Sequence, residues 1–154
     1  RTSKGSLPFR SYRHRFEVRG DESREEAWAV VNGLARGDKD RLLDAARDMR
    51  RYDEKALPWV GAAARIDEAG KAIQQIEGRL YCGLPLSVPV KLPIHINGYF
   101  DLDDSRQRLT TEAKDAGATQ HLRGAWNRAL LMEGCARAWI GPSSESWSVR
   151  IFCS

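Results

Sequence analysis

The sequence predicts an α/β chain of the α+β kind. The sheet is expected to be mostly antiparallel or mixed, packed by two to three helices, and the whole a fragment of a larger protein. Three observations carry this reading. Ile94, Ile96, Gly98, Phe100 and Leu102 alternate with His95, Asn97, Tyr99 and Asp101, the period of a half-buried strand. Tyr12, His14, Phe16 and Val18 alternate in the same way with Arg13, Arg15, Glu17 and Arg19. Leu122, Trp126, Ala129, Leu130, Ala136, Trp139 and Ile140 instead recur at helical spacing, from about His121 to Ile140, before Gly141-Pro142 stops the run.

Taken in order, the first strand has a basic outer face and turns at Gly20-Asp21. Ser23-x-x-Glu26 reads as a capping box, in which hydroxyl and carboxylate satisfy reciprocal free N–H groups. Ala27, Val30, Val31 and Leu34 follow at helical spacing, so a helix closed by Gly37 is expected. A second helix starts near Asp38, with Leu42, Ala45, Ala46 and Met49 as its apolar stripe. Its wet side carries Arg41, Arg47, Arg50 and Arg51, with Asp44 and Asp48 as ion-pair partners. Residues 1–56 thus read as a strand plus two helices leading into a core at 57–140, all within one domain or domain fragment, 1–154.

In that core, Trp59–Ile66 reads as a buried strand of small residues and Arg79–Leu84 as another, expected to pair antiparallel with it. Asp67–Gly78 reads as a polar connection. Pro85 and Pro89 bracket a short link into the 92–102 run, because proline cannot donate to a ladder. Thr110–Gln120 is a soft polar segment, and Gly134 permits close packing of the last helix. Trp147, Val149, Ile151 and Cys153 alternate like a strand at the end of the chain. With Arg1 at the start, this suggests a piece cut from a longer protein.

Several chemistries leave no trace in the residues. There is no GxxxxGK[ST] or GxGxxG phosphate loop, no GxSxG elbow and no HExxH. His14, His95 and His121 stand apart and read as structural or surface residues. Cys82, Cys135 and Cys153 form no CxxC pair, which argues against a disulfide scaffold or zinc site and fits a reducing, cytoplasmic setting. No apolar run approaches the roughly 20 residues that span a bilayer. Net charge is +4 and the pI about 9.2, mildly basic. Asp103-Asp104 sits in a turn, and turn chemistry explains it better than acid–base catalysis. On residues alone, the chain reads as a soluble α/β domain, and no activity is expected of this segment by itself.

Leu92–Leu109 organises the chain: a strand breaks at Asp103-Asp104-Ser105 and delivers Arg106 and Arg108. LeuProTrpValGlyAlaAlaAla at 57–64 and GlyArgLeuTyrCysGlyLeuProLeu at 78–86 precede it. AlaTrpAsnArgAlaLeuLeuMetGlu at 125–133 follows it. These segments, in this order, resemble the sacsin repeat family, which passes from G-x-x-[FY]-C-x-L-P-L to L-P-x-H-[IV]-N-G-x-F-x-L-x-x-x-R-R and then W-N-x-x-L. The resemblance covers roughly 57–140. It implies a segment following a nucleotide lobe, in a chaperone-type ATPase related to the ninety-kilodalton heat-shock chaperones.

By the looser parallel with those chaperones, Leu92-Pro93 and Ser105-Arg106-Gln107 make Arg106 the candidate contact for an ATP γ-phosphate. The Arg106-Gln107-Arg108 order departs from adjacent arginines and leaves Arg108 as a rival. A local ion pair of Arg106 with Asp103 or Asp104 competes with both. Asn97 and Gly98 are expected to serve the backbone, through a bulge or close approach. Trp126 and Asn127 are expected to dock the last helix, Asn127 through a main-chain group.

The function implied is a non-nucleotide-binding segment that couples ATP state to conformation or client binding. It holds no cofactor itself, ATP and Mg belonging to the parent protein. Its partners would be the ATPase lobe of the same protein and client proteins, with no membrane. A protein-interaction module independent of ATP ranks second. Nucleic-acid binding through the arginine-rich first strand ranks third.

Overall fold

The computed structural model describes residues 9–20, 23–35, 41–52, 56–112, 117–136 and 138. In chain order the elements are β1 (Arg10–Val18), β2 (Arg24–Leu34), α1 (Arg41–Arg50), β3 (Trp59–Ile66), β4 (Gly78–Cys82), β5 (Leu84–Val90), β6 (His95–Gly98) and α2 (Ala118–Ala129). A π-helical segment, Leu130–Cys135, continues α2. The strands form one six-stranded sheet in the order β1-β2-β3-β6-β4-β5. Every pair is antiparallel except β4 with β6, which run parallel through Leu80 opposite Ile96 and Tyr81 opposite Asn97. A mixed sheet with helices is the α+β class that the periodicities predict.

The helix expected after Ser23 is a strand. β2 pairs with β1 from Asn32 to Arg24 and with β3 from Ala27 to Leu34, so it lies inside the sheet. From Glu26 onward it is half-buried at every position, on both faces, and such a strand shows no period of its own. The capping-box residues serve the sheet instead. Ser23 Oγ donates to Glu17 Oε1 at 3.0 Å. Glu26 accepts from Arg24 Nε and from Trp28 Nε1, two residues along the same strand face.

The 57–140 region has a different strand order from the one expected. β3 and β4 are not neighbours, because β6 lies between them. The Pro85–Pro89 link is strand β5, at the edge of the sheet, where a residue without an N–H leaves no central ladder bond unmade. The last helix begins at Ala118, earlier than expected, and Thr110 is buried rather than loose. Trp139, Ile140, Gly141-Pro142 and the Trp147–Cys153 alternation lie outside the described residues.

The core fills one face of the sheet. Val60, Ala62, Ala64, Leu80, Leu86, Ile94, Ile96 and Phe100 meet Leu42, Ala46 and Met49 of α1 and Trp126 and Leu130 from the last helix. Alanines on β3 leave room for that helix to come close. A Cβ on Gly134 would stand 3.0 Å from Val60 Cγ1. The opposite face carries rings. Trp28 stacks on His95 at 5.2 Å, Tyr81 meets His95 edge-on, and Trp59 tilts against Tyr99.

Candidate functional site

Beyond β6 the chain forms a small hairpin. Leu102 bridges Leu109, Thr110 N–H donates to Asp101 O at 3.0 Å, and Asp103 N–H donates to Arg108 O at 3.0 Å. Its tip is a turn closed by Arg106 N–H onto Asp103 O at 2.9 Å. The Asp103 carboxylate holds that tip from inside. It accepts from Ser105 Oγ at 2.7 Å and from the N–H groups of Gln107 and Arg108, both at 3.3 Å. The Ser105 bond, the two backbone N–H groups and the charge of Arg108 together hold its carboxyl below the usual carboxylate range.

The final helix grips the base of the hairpin. Asn127, 3% exposed, accepts Asp101 N–H at 2.7 Å through Oδ1. Its Nδ2 donates to Asp101 O at 2.6 Å and Thr110 O at 2.9 Å. Arg123 donates from Nε to Asp101 Oδ1 at 2.7 Å and from Nη2 to Leu102 O at 2.9 Å. Thr110 Oγ1 donates to the same Asp101 oxygen at 2.6 Å, and Trp126 Nε1 to Tyr99 O at 2.9 Å. Asp101 is therefore the hub, its carboxylate and both its backbone groups bonded. Gly124 makes the approach possible: a Cβ there would lie 2.5 Å from Glu112 N. Arg123 and Asp101 carry no candidate role in the sequence. The available signal is that Arg123 precedes Asn127 by one helical turn, so both share a helix face.

Between the hairpin, the β4–β5 reversal and α2 lies a cleft of about 650 Å³. Cys82, Leu84 and Leu86 form one wall; Asp101, Asp103, Asp104 and Arg106 form another. Arg106 has φ of 56°, in the left-handed region that a residue with a Cβ seldom occupies. Among the described residues its guanidinium makes no hydrogen bond or ion pair. The two arginines thus have different surroundings. Arg106 lines the cleft, whereas the charge of Arg108 acts on Asp103.

Asn97 and Gly98 lie on β6. Asn97 Oδ1 accepts Gly83 N–H at 3.3 Å, steadying the β4–β5 reversal where Gly83 takes φ of 76°. A Cβ on Gly98 would stand 3.0 Å from the Phe100 ring and 3.3 Å from Leu130 Cδ2. Elsewhere, His95 Nδ1 accepts Arg79 N–H at 3.2 Å, and burial followed by the Arg79 charge pushes its imidazole below the ordinary value. Burial raises the Cys82 thiol, which donates to Phe100 O, and pushes Cys135 up to about 12, so both stay protonated near neutrality. Cys153 lies outside the described residues. Among the described residues no helix is long and apolar enough to cross a membrane.

The chain is similar to sacsin. It is 25% identical to the human protein over 135 residues, which is 87% of this chain. It spans about 3% of sacsin's length, so the similarity is to one sacsin-related region. No family model matches the chain, and no solved structure matches it. The aligned length extends the sacsin likeness beyond the 57–140 motifs. A guanidinium presented at a cleft is suited to an anion, phosphate oxygens above all, because its planar fork can donate twice and never loses its charge.

Proposed function

We propose that the chain is the segment following the nucleotide lobe of a sacsin-like, chaperone-type ATPase, in a cytoplasmic protein. In this reading Arg106 reaches the terminal phosphate of a nucleotide held by the other lobe and ties nucleotide state to domain closure and client handling. One observation carries it. Asp103, one of the two candidates for a local ion pair, accepts from Ser105, Gln107 and Arg108, while Arg106 lines the cleft without an ion-pair or hydrogen-bond partner for its guanidinium among the described residues.

The residues present fit a single phosphate contact and not a nucleotide pocket. Arg123 is held by Asp101, and the remaining charged groups around the cleft are the carboxylates of Asp101, Asp103 and Asp104, which repel a polyphosphate. ATP with Mg, carried by the other lobe, supplies the phosphoryl chemistry. The hairpin supplies a positioned cation whose base is fixed by Asn127 and Arg123.

The test uses the intact parent protein. Arg106→Ala should lower ATP turnover on the order of a hundredfold, with a much smaller change in ATP affinity. Arg108→Ala should leave turnover close to wild type. Unchanged turnover in Arg106→Ala removes the phosphate role, and tight binding of ATP-Mg by the 154-residue chain alone would place the nucleotide pocket here instead. A protein-interaction role independent of ATP also has an observation in its favour, the outer edge of β1, which pairs with no strand other than β2 among the described residues.

A further inference from the structure

β1 is an edge strand whose partner among the described residues is β2 alone. It is nine residues long, paired in unbroken register from Arg10 opposite Asn32 to Val18 opposite Arg24, and exposed at every position but the last. It contains no proline and no bulge, two of the devices that blunt an edge, and of the usual devices it carries charged side chains. Half the backbone N–H and C=O groups of such a strand point away from its neighbour and can pair with another chain.

The side chains state what could add there. One face carries Arg13, Arg15 and Glu17. Glu17 is engaged locally by Arg19 at 3.1 Å and Ser23 at 3.0 Å and stands opposite Glu25, whereas Arg13 and Arg15 stand opposite Ala29 and Ala27, so the positive charge of that face is concentrated at Arg13 and Arg15. The other face carries Tyr12 and Phe16, 48% and 46% exposed, on either side of His14. A second copy is a poor occupant. Antiparallel self-pairing about His14 sets Arg13 against Arg15, and like charges directly opposite destabilise a ladder.

We propose that β1 is a docking edge for an extended acidic peptide, which adds to the sheet as a further strand. Alternate Asp or Glu side chains of the peptide lie beside Arg13 and Arg15, and the apolar side chains between them lie beside Tyr12 and Phe16. Backbone ladder bonds provide affinity and the alternating side chains provide selection. The proposal is independent of the role of Arg106.

The experiment uses the 154-residue chain and a fluorescein-labelled nine-residue peptide, Asp or Glu alternating with Val or Phe, read by anisotropy. Saturable binding is expected, with new hydrogen-exchange protection at β1 amides. A peptide with Lys in place of the acids should not bind. Arg13→Glu/Arg15→Glu should weaken the acidic peptide by about tenfold or more and restore binding of the Lys peptide. Methylating alternate peptide amides, which needs no protein variant to fold, should abolish binding in one register.

Equal binding of acidic and Lys peptides, or binding without β1 protection, overturns the proposal. So does a concentration-dependent dimer that excludes the peptide, or tighter binding of a single-stranded oligonucleotide at the same edge.

Discussion

The two edges of the sheet are built differently. β5 carries Pro85 and Pro89 and is tied to the neighbouring hairpin by Ser87 N–H onto Gln107 O at 3.2 Å. That hairpin is in turn bonded to α2 through Asp101. β1 has no proline, its side chains are exposed on both faces up to Val18, and among the described residues it pairs with β2 alone. At the β5 end, the hairpin backbone bonds the strand, and Asn127 and Arg123 bond the hairpin's own main chain; at the β1 edge no further strand pairs among the described residues. The difference suggests that rigidity and recognition are divided between opposite ends of one sheet.

The largest expected effect breaks the finished end. Asn127→Ala removes one acceptor and two donors from the main chain at Asp101 and Thr110, where the amide is almost fully buried. Leaving such groups unsatisfied should cost about 3 kcal/mol, measured by urea unfolding. Amide exchange should rise at Asp101 and Thr110 while β1 and β2 keep their native rates. A uniform rise across the sheet would show that the two ends do not behave as separate units.

Much of the finished end was readable in advance, and for physical reasons. Ile94, Ile96 and Phe100 face a core while Asn97 and Tyr99 do not, so the strand period survives intact. Asn127 follows Trp126 on an amphipathic helix, the place where a buried amide has to find main-chain partners. What escaped was set by the third dimension. Ala27, Val30, Val31 and Leu34 satisfy helical spacing and also fit a strand covered on both faces; only pairing to β1 and β3 decides between them. Pro85 and Pro89 argue against a strand until β5 is known to be an edge. The parallel contact of β4 with β6 joins segments on either side of β5, and no local pattern encodes it. Arg123 resembles any solvated helix arginine until Asp101 is placed beneath it.

A smaller effect probes the middle of the sheet by pH. His95 sits between Trp28 and Tyr81, and its Nδ1 accepts a backbone N–H, so the neutral ring is the one the fold accommodates. Its pKa is lowered from 6.5, by burial first and by Arg79 second. The unfolded chain therefore binds more protons than the folded one once pH falls below 6.5. Stability should be full above that value and decline as pH drops toward the folded pKa, with no further His95 loss beneath it. His95→Gln should flatten this part of the curve. Asp103, whose pKa is lowered from 3.8, acts in a separate and more acidic window, where loss of its carboxylate loosens the hairpin tip. Unfolding midpoints at constant ionic strength between these windows distinguish the two groups.

The smallest effect is expected at the unfinished edge, and its smallness is informative. Arg15 is exposed, lies opposite Ala27, and belongs to a strand that pairs with β2 alone among the described residues. Arg15→Ala should change stability by less than about 0.5 kcal/mol. A larger loss would mean that β1 is held by interactions of the intact fold and is not free to accept a partner. A negligible loss, together with weaker binding of an acidic strand, would separate what the residue does for recognition from what it does for folding. Asn127 offers no such separation, because its amide bonds Asp101 and Thr110 at the base of the hairpin that carries Arg106.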